Sequence, residues 1–176
     1  MTDVIIQGIN GRMGRVLQEL IAQRNDCRVV AGIDLAASNG DIPVFASFND
    51  LTVKGDVLID FSAPAATRNA IQYCREHKLP CVICTTGLDA ETEAELHELS
   101  SHCAVFKSAN MSMGINLLIK LAKEASLLLG DAYDVEIVEK HHHNKVDAPS
   151  GTALMIADEV NAVNDNKYEY VYDRHS

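Results

Sequence analysis

The sequence predicts an α/β fold: a parallel sheet with helices on both faces, followed by the start of an α+β domain. Three observations carry this. Short β-rich runs alternate with helical patterns from the first residue to about Asn110. Those runs are nearly continuous in apolar character, as strands covered on both faces must be. Beyond Asn110 the pattern changes to a long apolar helix and then to a run that alternates in polarity.

Taken in order, "DVIIQG" reads as a strand and "GRMGRVLQELIAQR" as a helix with Met13, Val16, Leu17, Leu20 and Ile21 on one apolar stripe. "RVVAGID" closes a βαβ unit. "IPVFAS" and "DVLIDFS" follow as strands, then the helix "PAATRNAIQYCREH", whose Pro64 sits in the first turn, where a missing N–H costs nothing. "PCVICTT" is a further buried strand, "DAETEAELHELSSH" a solvated amphipathic helix, and "AVFKSAN" a return to strand. "MGINLLIKLAKEASLLLG" is a long, very apolar helix closed by Gly130 at its C-cap. "YDVEIVEKHHH" alternates in polarity, which predicts a half-exposed antiparallel strand, and "NDNKYEYVYDRHS" carries an interrupted strand-like pattern. The change of pattern divides the chain into residues 1–110, a dinucleotide-type domain, and residues 111–176, the start of a second domain.

With 47% apolar residues the chain can bury an ordinary core. A net charge of -10 and a pI near 5.0, with only 15 scattered lysines and arginines, exclude an extended nucleic-acid surface. No apolar run has the length of a membrane span, and "MTDVIIQG" lacks the charged and apolar regions of a signal peptide, so a cytoplasmic protein is expected. Five cysteines fit reduced thiols rather than a disulfide framework. Cys81 and Cys84 form a C-x-x-C inside a strand, where residues three apart point to opposite faces, so the pair is read as structural.

The first strand runs into Gly8, Gly11 and Gly14 and then into a helix. A dinucleotide turn needs one glycine for tight geometry, an open site for the pyrophosphate and a small residue where helix packs on strand. Asn10 stands where the second glycine usually does, and Asn tolerates positive φ better than most residues. Asp34, 20 residues after Gly14, closes the second strand, where its carboxylate can accept from ribose hydroxyls. The helix start supplies N–H groups for the phosphates. Asp34 favours NAD, while Arg12 at the turn would attract a 2′-phosphate, which leaves NADP open.

The second concentration of chemistry is "EKHHHNKVDAPSGTA". In an extended strand His141 and His143 share a face with Glu139, the geometry of a two-His, one-carboxylate metal set. Against a metal stands Lys145, whose charge opposes a cation and suits an anionic substrate. His141 and Lys145 form a proton-delivery pair. Ser150, Gly151 and Thr152 open a helix whose N–H groups and hydroxyls suit a carboxylate.

"GINGRMG", "CTTG", "SANMSMG" and "EKHHHNKVDAPSGTA", in that order, resemble the 4-hydroxy-tetrahydrodipicolinate reductases, long called dihydrodipicolinate reductases, of the diaminopimelate route to lysine. The resemblance implies a Rossmann-type first domain, a substrate domain whose sheet builds a homotetramer, NADH or NADPH as hydride source, and a small dicarboxylate substrate. By position, Gly8, Ile9, Asn10, Gly11, Arg12 and Met13 would hold the pyrophosphate and Asp34 the adenosine ribose. Cys84, Thr85, Thr86, Ser108, Ala109, Asn110 and Met111 would meet the cofactor near its nicotinamide end. His141 matches a catalytic proton donor or acceptor, Lys145 a proton donor, and His142, Gly151 and Thr152 substrate contacts. Cys84 stands where the family often has Gly, and Met111 where it often has an aromatic residue. The family continues well past the position of Ser176, so the chain reads as lacking the family's C-terminal part. The reaction implied is hydride transfer to the conjugated imine ring left when hydroxy-tetrahydrodipicolinate loses water, giving tetrahydrodipicolinate. Two other readings stay open: a nucleotide-binding module without catalysis, and a metal-dependent enzyme using Glu139, His141 and His143.

Overall fold

The computed structural model describes residues 1–36, 41–143, 145 and 148–173. These fall into two compact units, Met1–Ser108 and Ala109–Ser176.

The first unit is one parallel sheet of six strands: β1 (Thr2–Gln7), β2 (Cys27–Ile33), β3 (Val44–Phe45), β4 (Val57–Asp60), β5 (Cys81–Ile83) and β6 (Val105–Lys107). Their order is β3-β2-β1-β4-β5-β6, every neighbouring pair parallel. This is the doubly wound Rossmann order, in which the winding reverses between β1 and β4 and leaves a crevice at the carboxyl ends of those strands. Helices α1 (Arg12–Ala22), α2 (Pro64–His77) and α3 (Ala90–Leu99) make the crossovers. Two apolar clusters fill the faces of the sheet, one around Ile5, Leu58, Ile71, Ile83 and Leu99, the other around Val4, Ile6, Ile9 and Ile21.

Local sequence explains the helix ends. Pro64 opens α2 at its first turn, and Lys78 closes it in the left-handed conformation with φ of 51°. Asp89 caps α3 by accepting from Thr92 N at 2.9 Å. Arg68 of α2 then bonds Thr92 Oγ1 and the carboxylates of Asp89 and Glu91, bracing one helix against the next.

The stripe expected on α1 is narrower than its sequence suggests. Ile21 is buried and Leu17 packs beside it, but Met13, Val16 and Leu20 are exposed. Gly14 is the reason: it sits where the helix presses on the first strand's turn, so the contact face runs through Gly14, Leu17 and Ile21.

In the second unit α4 (Met113–Leu129) packs against α5 (Gly151–Val163). Ile119, Ser126, Ala153 and Val160 are buried, and Asn164 Nδ2 donates to Ser126 Oγ at 3.0 Å. Lys123 pairs with Glu159. Gly130 closes α4 with φ of 60°. The alternating run expected as an antiparallel strand is not one: Tyr133–His142 is exposed and forms no strand in the structure. Alternation reports which side chains tolerate water, whereas a strand also requires a second backbone to receive its N–H and C=O groups. The interrupted pattern at residues 168–173 likewise forms no strand, and residues 174–176 of that reading lie outside the described residues. None of the described helices is long and apolar enough to cross a membrane.

Candidate active site

The turn after β1 is built from two glycines that no larger residue could replace. Gly8 has φ of 77°, and a Cβ there would lie 2.5 Å from Phe61 O. A Cβ on Gly14 would lie 2.3 Å from Gly8 O and 2.5 Å from Ile9 O, which is how closely α1 rests on the turn. Gly11 caps α1 with no side-chain hydrogen bond, and the first turn holds no acidic residue. Such a helix start keeps its N–H groups and the positive end of its dipole for an anion.

Asn10 does not use positive φ, contrary to expectation; Gly8 takes that conformation. Asn10 acts instead through its side chain, donating Nδ2–H to Ala36 O at 2.6 Å, while its own N–H donates to Asp34 Oδ2 at 3.0 Å. Asp34 Oδ1 accepts from Ala36 N at 3.3 Å. The carboxylate is thereby fixed to the glycine turn, and each oxygen keeps a second lone pair for a hydroxyl. Ile9 turns its side chain into the core, so only its main chain remains for a ligand, whereas Arg12 and Met13 are exposed at the helix start.

The loop after β5 divides in the same way. Cys84 and Thr85 are buried and Thr86 is exposed. Burial, with the charge of Asp60 nearby, pushes the Cys84 thiol up to about 12. Cys81 neighbours Cys74 and Cys103, whereas Cys84 lies past the end of β5, in the loop, and not inside the strand as the sequence had suggested. Thr85 Oγ1 donates to Asp60 Oδ2 at 3.0 Å and accepts from Ser62 N at 3.2 Å. Ser108 N–H donates to Ile83 O at 3.1 Å, which sets the start of the loop after β6.

Asp60, Ser62, Thr67 and Gln7 were not singled out in the sequence. Asp60 is fully buried at the end of β4, and Gln7, 3% exposed at the end of β1, donates to Ala66 O at 2.8 Å. The available signal was an aspartate ending the apolar run "DVLIDFS", since a buried carboxylate must be surrounded by donors.

In the second unit the histidine segment meets the start of α5. Glu139 gives both carboxylate oxygens to Ser150: Oε1 accepts from Ser150 N at 2.8 Å and Oε2 from Ser150 Oγ at 2.5 Å. The bond from the Ser150 hydroxyl, followed by its N–H, holds Glu139 below the usual carboxyl range, with His141 and Lys145 adding positive field. Ser150 Oγ in turn accepts from Ala153 N at 3.1 Å and caps the helix. So the anion site expected at Ser150 is taken by the chain's own carboxylate, and the helix start remaining is that of Gly151 and Thr152. Thr152 Oγ1 accepts from Asn110 Nδ2 at 3.0 Å, joining a position matched to the cofactor with one matched to the substrate. His141 Nδ1 lies 3.5 Å from Glu139 Oε2, and Lys145 N–H donates to His142 O at 3.1 Å. His142, His143 and Met111 are exposed, and Ala109 is half-buried. No three His, Cys, Asp or Glu side chains among the described residues converge as a metal site requires, and the set of Glu139, His141 and His143 is not formed.

Two family models match the chain, "Dihydrodipicolinate reductase, N-terminus" over residues 2–111 and "Dihydrodipicolinate reductase, C-terminus" over residues 114–175. A 4-hydroxy-tetrahydrodipicolinate reductase of Clostridium tetani is 45% identical over 175 residues, covering 99% of this chain and 69% of its own length. One from Caldanaerobacter subterraneus subsp. tengcongensis is 47% identical, covering 100% of this chain and 70% of its own. Among solved structures, the dipicolinate-bound dihydrodipicolinate reductase from Paenisporosarcina sp. TG-14 superposes with a TM-score of 0.74 at 28% identity, over 100% of this chain and 71% of that one.

Proposed function

The chain belongs to the dihydrodipicolinate reductase family, and from that premise we propose how its own residues serve the reaction. The reaction is reduction of the dehydrated form of 4-hydroxy-tetrahydrodipicolinate to tetrahydrodipicolinate in lysine and diaminopimelate biosynthesis. A nicotinamide coenzyme, NADH or NADPH, supplies the hydride when bound. The family match across both units is the observation that carries this reading.

The residues present fit a dinucleotide. Gly8, Gly11 and Gly14 keep side chains out of the turn, the uncapped start of α1 takes an anion, and the main chain from Ile9 to Met13 runs past it. Asp34 accepts from the ribose hydroxyls, and Arg12 would pair with a 2′-phosphate. Cys84 and Thr85 serve through main-chain groups, because their side chains face inward, while Thr86, Ser108, Ala109, Asn110 and Met111 border the nicotinamide end.

In the second unit Gly151 and Thr152 receive one carboxylate of the substrate at the start of α5, with His142 as a further contact. His141, oriented by Glu139, and Lys145 move the proton that accompanies the hydride. Residues 1–110 then act as the cofactor domain and residues 111–176 as part of the substrate and oligomerisation domain, in a cytoplasmic homotetramer.

The test is the loss of reduced-nicotinamide absorbance with freshly generated substrate, run separately with NADH and NADPH. His141→Ala and Lys145→Ala should each lower kcat about 100-fold, the scale of a general acid or base. Unchanged turnover in both variants would remove the proton-transfer assignment.

A further inference from the structure

Asp60 lies at the reversal of the sheet's winding, fully buried, with four donors converging on its two oxygens. Oδ1 accepts from Ser62 N at 3.0 Å and from Ser62 Oγ at 2.5 Å. Oδ2 accepts from Thr67 Oγ1 at 2.6 Å and Thr85 Oγ1 at 3.0 Å. The donors come from three places: the loop after β4, the first turn of α2 and the loop after β5. Both loops follow the carboxyl ends of their strands, the side of the sheet on which the crevice opens. Phe61 O already lies so near Gly8 that one methyl group would not fit between them, and Cys84 N–H is held by Asp60 O at 2.9 Å.

We propose that Asp60 is a positioning residue for the cofactor site: its carboxylate ties the loops after β4 and β5 to each other and sets their main chain at the distance from the glycine turn that a dinucleotide requires. The inference rests on the family reading of this crevice as the coenzyme site. Core stability alone does not call for a charge here, because replacing a buried ionic group and its partners with apolar residues of similar shape is often neutral or better. A carboxylate that takes four donors from three segments fixes their mutual geometry instead, since each hydroxyl has one best direction toward it. Asparagine keeps the shape but carries one acceptor oxygen, so its NH₂ would face donors that now converge on a carboxylate.

The experiment is fluorescence titration of NADH and NADPH into the full chain, alongside steady-state kinetics and thermal unfolding. Asp60→Asn should raise the Kd and KM for the coenzyme about tenfold while KM for the dicarboxylate stays within about twofold. Thr67→Val, which keeps the shape and drops one donor, should raise the coenzyme Kd about threefold, and Thr67→Ser should restore the wild-type value. If Asp60→Asn does not fold, the Thr67 pair decides. Variants that unfold at lower temperature yet bind coenzyme with unchanged Kd would overturn the inference and leave the coenzyme site intact. A wild-type chain that binds neither coenzyme would overturn the site reading itself, and the inference with it.

Discussion

Glu139 shows how one side chain sets the chemistry of its neighbours. Its carboxylate holds Ser150 by two bonds and lies 3.5 Å from His141 Nδ1, so one residue links the histidine segment to the start of α5. Because its folded pKa is depressed, the contact's contribution to stability is full above the ordinary carboxyl value of 4.5 and is lost as pH falls below it. Wild type should therefore be more stable than Glu139→Gln at neutral pH, and denaturant titrations should show that gap closing as the solution is acidified past that value. Cys84 gives a second residue-scale prediction. With its thiol pushed up to about 12, it should resist iodoacetamide at pH 8 in the folded chain, while half-buried Cys27 reacts first; peptide mapping distinguishes them. The burial of Cys84 was legible in its apolar run, but the Glu139 contact was not. A sequence shows that Glu139 and Ser150 exist, but their pairing depends on how the intervening segment folds back.

At the scale of elements, the glycines separate two physical demands. A Cβ at Gly14 would strike backbone atoms, whereas Gly130 has nothing within 4 Å of its would-be Cβ and is required only for its φ of 60°. Gly14→Ala should cost roughly 1–3 kcal/mol through overpacking and also weaken coenzyme binding by shifting the turn. Gly130→Ala should cost a similar amount, roughly 1–3 kcal/mol, through backbone strain alone, and leave coenzyme binding untouched. Urea unfolding and coenzyme titration of the two variants check this. The strands and helices of the first unit were readable because each carries its own period and its own punctuation, such as Pro64 opening α2 or Asp89 before α3. Tyr133–His142 was misread for the opposite reason: its period is that of a strand, but strand formation is settled by a partner elsewhere. The convergence on Asp60 was invisible for a related reason, since Ser62 and Thr67 are ordinary residues, and Thr85 was singled out only as a cofactor position, until three segments meet.

For the whole molecule, the surface carries an unusual amount of apolar area on one helix. Leu117, Leu118, Leu121 and Leu128 of α4 are all exposed, spaced along a stripe separate from the one packed on α5. With the homotetramer proposed above, sedimentation should give a mass well above the 19.2 kDa of one chain, and Leu118→Glu with Leu121→Glu should shift it toward that value. Hydrophobic runs foretold only a parallel sheet, because they report burial on two faces but not which strand lies beside which; the Rossmann order was implied by the family resemblance alone. That order has a kinetic meaning. β1 is central, and after pairing with β2 its other edge stays open until β4 arrives, with Val4 waiting for Val57. During synthesis on a ribosome the first three strands can associate before β4 emerges, so a nascent chain that stops short of β4 presents the open edge of β1 to chaperones.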